Sequence, residues 1–158
     1  MIPEAELVRK EFFVRKMDYP SSVELTKNSL LRWVCLSLGL ISKNESRDKG
    51  IIIIDAFLTL IFTKKINPTT QDVQEYIKEK TKVEFSEKLI RYHINRLIEL
   101  NLFERKNNKY YLNPSSTSEN RKSLSESYDH WVKKEIEKDL VVTKNALLKL
   151  QNSYERKK

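Results

Sequence analysis

Apolar residues recur along this chain at helical spacing in several separate stretches, and each stretch predicts an element. Leu30, Val34, Leu38 and Ile41 are four, four and three apart, which places them on one helical face. Ser21 or Ser22 supplies an N-cap for that helix, which the spacing carries to about residue 41. Before it, residues 1–20 mix charges with Phe12, Phe13 and Val14 and stop at Pro20, a pattern read as a short helix. After it, the polar, aperiodic residues 42–50 read as a loop. From 51 to about 63 the chain is apolar nearly all round. Four successive isoleucines fit a strand on propensity, but the length and the following Ala-Phe-Leu-Thr-Leu favour a buried helix.

The next elements carry start and stop signals. Thr69 with Asp72 three residues on is a shortened capping box, and Val73, Tyr76 and Ile77 mark the inner face of a helix ending near Lys80. Ser86 caps another helix whose Ile90, Ile94, Leu97 and Ile98 share one face. Two short strands, 102–106 and 109–112, then flank Asn107-Asn108. Asn tolerates the positive φ of a tight hairpin turn, so Phe103 is expected opposite Leu112 and Arg105 opposite Tyr110. Residues 113–118 form a linker. From about 123 the chain runs to its end without Gly or Pro. Leu124, Tyr128, Trp131, Ile136, Leu140, Leu147 and Leu150 line one long amphipathic helix, or two with a break near 140–143 where Val141 and Val142 crowd the pattern.

Composition narrows the class. The chain has 158 residues, 39% of them apolar and 33% charged, so it can build one core beside a large solvated surface. Two glycines and four prolines argue against sandwiches, barrels and Gly-rich phosphate loops. The longest apolar runs carry Arg32 and Asp55 and are too short for a membrane span, and the N-terminus lacks a secretory pattern. A net charge of +8, spread along the chain, suits polyanionic partners.

Candidate chemistry is sparse. Cys35 cannot pair within the chain, which fits a reducing cytoplasm, and it reads as a small buried hydrophobe. One Cys and two His make no zinc-type cluster, so neither metal nor cofactor is expected. His93 lies beside the apolar face of its helix and reads as structural, and His130 as a surface or interface residue. Asp55 caps or pairs. Trp33 and Trp131 are core or interface aromatics. No phosphate loop, nucleophile elbow or carboxylate pair points to an enzyme.

Three helices followed by a hairpin is the order of the winged helix-turn-helix, and residues 68–112 resemble that superfamily. Thr69-Thr70-Gln71-Asp72-Val73 is similar to the start of its positioning helix, and the run from Ser86 to Leu97 to its recognition helix. The run from Ile98 to Arg105 resembles the exit into the wing, with Asn101 where Gly is usual, a mild change at a left-handed helix end. Tyr92-His93-Ile94 resembles ArsR-like and MarR-like regulators of bacteria and archaea. The resemblance covers roughly 51–113. It implies a winged-helix unit at 51–114; with the helices that the apolar spacing predicts on either side, the fold is mainly α, with an N-terminal helical extension (1–50) and a C-terminal amphipathic helix (115–158) expected to dimerise.

On that reading the chain is a cytoplasmic, sequence-specific transcriptional regulator that binds double-stranded DNA. Advancing about 100° per residue from Ile90, the side away from the apolar face holds, besides Glu99, Lys88, Tyr92 and Asn95, flanked by Arg91 and Arg96. These would meet base edges, while Arg105, Lys106 and Lys109 at the wing would lie along phosphates. A homodimer is expected because the C-terminal and N-terminal apolar helices exceed what so small a central unit can cover; an intramolecular helical cap is the alternative. A winged-helix module that holds protein or RNA is the second functional reading.

Overall fold

The computed structural model describes residues 3–42, 49–117 and 119–156. Most of the loop expected at 42–50, and Ser118 of the linker, lie outside the described residues. The protein is mainly helical with one two-stranded antiparallel sheet.

The N-terminal segment departs from expectation. Only Pro3–Leu7 forms a 3-10 turn, and 8–20 run without regular structure. Side-chain bonds to distant backbone hold this stretch against its neighbours. Arg15 Nη1 donates to the carbonyls of Leu36 (3.1 Å) and Ile41 (2.9 Å), and Trp33 Nε1 donates to Asp18 O (2.8 Å). Phe12-Phe13-Val14 is a run rather than a period, so it offers a strap and no helical face.

The following helix is shorter than its apolar spacing suggested. Ser21–Leu25 is a 3-10 turn, and α1 spans Lys27–Ser37. Thr26, and neither Ser21 nor Ser22, is the N-cap, because Thr26 and Ser29 cap each other reciprocally. Gly39 ends the helix at φ +71, with Leu40 N bonded to Cys35 O and Gly39 N to Leu36 O, the paired bonds of a Schellman motif. A Cβ at Gly39 would stand 2.8 Å from the Phe13 ring. The turn drives Leu40 and Ile41 into the core.

Helix α2 (Lys49–Leu58) runs into a wide π turn at Thr59–Thr63. Its isoleucines are helical, with Ile53, Ile54 and Phe57 fully buried. Asp55 pairs with Lys27 (3.5 Å) and Lys80 (3.8 Å), linking α2 to α1 and to α3 (Thr70–Thr81). Thr69 and Asp72 form the expected capping box. Helix α4 (Glu87–Glu99), capped by Ser86, buries Ile90, Ile94 and Leu97. Asn101 takes the left-handed conformation (φ 64) at its end.

Strands β1 (Phe103–Lys106) and β2 (Lys109–Leu112) pair in the expected register, Phe103 with Leu112 and Arg105 with Tyr110. Asn107 and Asn108 both have positive φ, as a type I′ turn requires. Phe57 meets the rings of Phe103 (4.9 Å) and Tyr110 (5.5 Å) edge-on at the centre of the core. That one core also takes in Cys35, Leu40 and Ile41 from before residue 50 and Val132 from after residue 114.

The C-terminal helix is unbroken from α5 (Leu124–Tyr128) through a π turn at Asp129–Lys133 into α6 (Lys134–Glu155). The irregularity therefore lies about ten residues before the break considered at 140–143. The reason is local. Near the π turn, Ser127 Oγ must reach Asn113 O (2.6 Å) and Trp131 Nε1 must reach Pro114 O (3.1 Å) while Val132 is buried. The wide turn shifts the helical phase to allow it. Val141 and Val142 stand in solvent, so nothing there forces a break.

Candidate nucleic-acid interface

Helix α4 divides cleanly into a buried and an exposed side. Ile90 and Ile94 are fully buried, whereas Lys88, Arg91, Tyr92 and Asn95 lie toward solvent, Tyr92 exposed by 57%. His93 lies between the two sides. Its ring sits over Gly50, where a Cβ would come within 2.8 Å of it, so the glycine is what lets α2 approach α4 closely at His93.

The hairpin is stitched to the start of α3. Thr69 bridges Lys109, and Tyr110 N donates to Pro68 O (2.8 Å). The buried Tyr110 hydroxyl shares a hydrogen bond with Thr70 Oγ1 (3.0 Å). Those bonds fix the hairpin against the start of α3, and the first turn of α4 lies next to both. Between them lies a cleft of about 270 Å³, lined by the first turn of α3 (Thr69, Thr70, Gln71), by Glu87 and Arg91 of α4, and by Arg105 and Asn108 of the hairpin. Two guanidiniums and the Glu87 carboxylate thus line one space at the first turn of α3, an arrangement that suits an anion such as a phosphate oxygen once Arg91 exchanges Glu87 for it.

Internal partners hold these cations lightly. Arg91 lies 3.7 Å from Glu87, and Lys106 lies 3.2 Å from Glu104, both pairs being largely exposed. Such pairs cost little to exchange for another anion. Arg105 lies over the Tyr110 ring (5.5 Å to its centroid), which pre-sets its direction.

Arg96 does not join this face. Its guanidinium donates to the carbonyls of Gly39 and Leu40 (Nη1 to Leu40 O 3.4 Å), so it staples α4 to the turn after α1. Helical angle alone placed it at the margin, and the turn at Gly39 decided which way it went. Sequence reasoning also missed Gln71 and Asn108 as walls of the cleft. The Thr69/Asp72 cap marked the α3 start, but nothing in its spacing placed that start beside the hairpin.

Comparison with family models, with curated proteins and with solved structures finds no match to this chain. The site therefore stands on its own geometry. Among the described residues no group of three His, Cys, Asp or Glu could hold a metal ion, and no helix is long and apolar enough to cross a membrane.

The expected dimerisation row splits in two. Leu124 and Ile136 pack against the chain's own core, and Trp131 is tied to Pro114. Tyr128 is 38% exposed. Leu140, Leu147 and Leu150, by contrast, are 51–61% exposed.

Proposed function

We propose that this protein is a winged-helix, sequence-specific DNA-binding regulator that acts as a homodimer in a reducing cytoplasm. The observation that carries the reading is the cleft where Arg91 of α4 and Arg105 of the hairpin meet the first turn of α3, beside the exposed Lys88, Tyr92 and Asn95. In this reading α4 enters the major groove. Asn95 suits the N6/N7 edge of adenine, and Arg91 or Lys88 the O6/N7 edge of guanine. Arg105, Lys106 and Lys109 then lie along the backbone, supplying affinity without sequence information. The buried Cys35 asks nothing of an oxidising compartment.

Selection of bound duplexes from a random pool, followed by competition at physiological salt, tests the proposal. A preferred sequence should emerge, and its affinity should fall steeply with salt through counterion release. Glu87 and Glu104, already paired with Arg91 and Lys106, favour a second reading in which this face holds a protein partner. No enriched sequence and no salt-dependent duplex binding would move the assignment there.

A further inference from the structure

From Glu137 to Arg156 every described residue of the C-terminal helix is exposed. These twenty residues span about 30 Å, and among the described residues none buries them. Within them Leu140, Thr143, Leu147, Leu150 and Tyr154 recur at three, four, three and four, the a/d spacing of a coiled coil. The leucines and Tyr154 are 51–68% exposed. Thr143 fits the row because its hydroxyl donates to Asp139 O (3.2 Å) on its own helix, leaving the methyl group to face outward. Ile136, four residues before Leu140, packs against the body, so the row starts where the body ends.

We propose that this part of α6 forms a parallel, in-register, two-stranded coiled coil with a second copy of the chain. The proposal rests on the homodimer reading above and adds the seam and its direction. With Leu140 at position a, Asp139 falls at g and Lys144 at e. In a parallel pair the g residue of one helix faces the e residue five positions on in its partner, so Asp139 meets Lys144 on both sides of the seam. The antiparallel register that sets Leu140 against Leu150 brings the two Lys144 side chains together instead. A seam of this length covers on the order of 600 Å² per helix, at the lower edge of the roughly 600–1,000 Å² per partner of a standard specific interface. Val141 and Leu148 lie roughly 80–100° off the row, outside a two-stranded contact.

The direction has a consequence for the proposed interface. Parallel strands put both bodies at the same end of the coil, related by a twofold axis along it. Two α4 helices would then address one duplex as inverted half-sites.

Cross-linking of the full chain separates the possibilities. Under mild oxidation Leu150→Cys, and separately Leu140→Cys, should each give a self-linked dimer, because equal positions face each other. Wild type, whose Cys35 is buried, should give none. Mixing the two variants should give no 140–150 link beyond chance exchange. Light scattering should read twice 18.8 kDa throughout. Asp139→Lys should weaken dimerisation about three- to tenfold at low salt, and adding Lys144→Asp should restore it. A doubled mass without self-linking overturns the parallel seam while sparing the homodimer. It would mean an antiparallel pair, or α6 seated in the partner's apolar groove of about 610 Å³ between α1 and α5. A tripled or quadrupled mass overturns the two-stranded seam. A monomer at tens of micromolar overturns both the seam and the homodimer.

Discussion

Helices α4 and α6 are both amphipathic, yet the chain treats them in opposite ways. Helix α4 has its apolar face covered by its own chain: Ile90 and Ile94 lie wholly inside the core. Helix α6 beyond Ile136 presents Leu140, Leu147 and Leu150 to solvent. An apolar stripe in sequence says that a face must be covered. It does not say by what. In α4 the cover is internal, so the polar side is the side left free to act; in α6 the apolar side is the free one. Mutations should therefore act on folding in the first helix and on association in the second.

The largest contrast is in stability. Ile94→Ala should cost roughly 2–5 kcal/mol in chemical denaturation, through reduced burial and a residual cavity. Leu147→Ala, measured where the chain is monomeric, should stay within about 0.5 kcal/mol of wild type, because its side chain packs against nothing there. Equal destabilisation by the two would break the comparison.

On the exposed side of α4 the effect should move from folding to binding. Asn95→Ala or Arg91→Ala should cost about 1–3 kcal/mol on the selected duplex and flatten discrimination at one or two base positions. Melting temperature should barely change. Unaltered affinity and selectivity in both variants would remove α4 as the reading helix.

Arg96 sharpens the same division within a single helix. Arg96→Ala should destabilise the fold by roughly 1–2 kcal/mol, because the carbonyls of Gly39 and Leu40 are deprived of a charged donor. Base discrimination by the folded fraction should match wild type. Competition binding beside an unfolding curve reads both quantities.

The smallest effect belongs to the hairpin tip. Replacing Lys106 and Lys109 with Ala should leave stability within about 0.5 kcal/mol. Affinity should weaken alike for all duplexes, with the salt slope falling by about one unit for each phosphate no longer neutralised. A sequence-dependent weakening would instead put these lysines at base edges.

Much of this was legible in the chain wherever local chemistry is decisive. The caps at Thr69 and Ser86, the left-handed Asn101, the Asn107-Asn108 turn and its strand register all depend on residues a few positions apart. The start of α1 was less legible: Ser21 or Ser22 was the expected N-cap, whereas the cap is Thr26, which has the reciprocal partner Ser29. Gly39 was a stop signal in plain view, overridden by the helical spacing that continues through Ile41.

What the sequence determined by itself, then, is the run of elements from α2 to the hairpin and the phase of their faces, since capping, turn chemistry and apolar period act within one or two turns. Contacts between distant segments were decided only in three dimensions. The Pro68–Tyr110 bond brings the hairpin to the start of α3, so that Arg105 joins Arg91. The turn at Gly39 takes Arg96 away from its neighbours on α4. The wide turn at Asp129–Lys133 directs Leu124, Trp131 and Ile136 to the body while leaving Leu140 onward exposed. Period fixes where a side chain points around its own helix. Which surface waits there depends on the path of the rest of the chain.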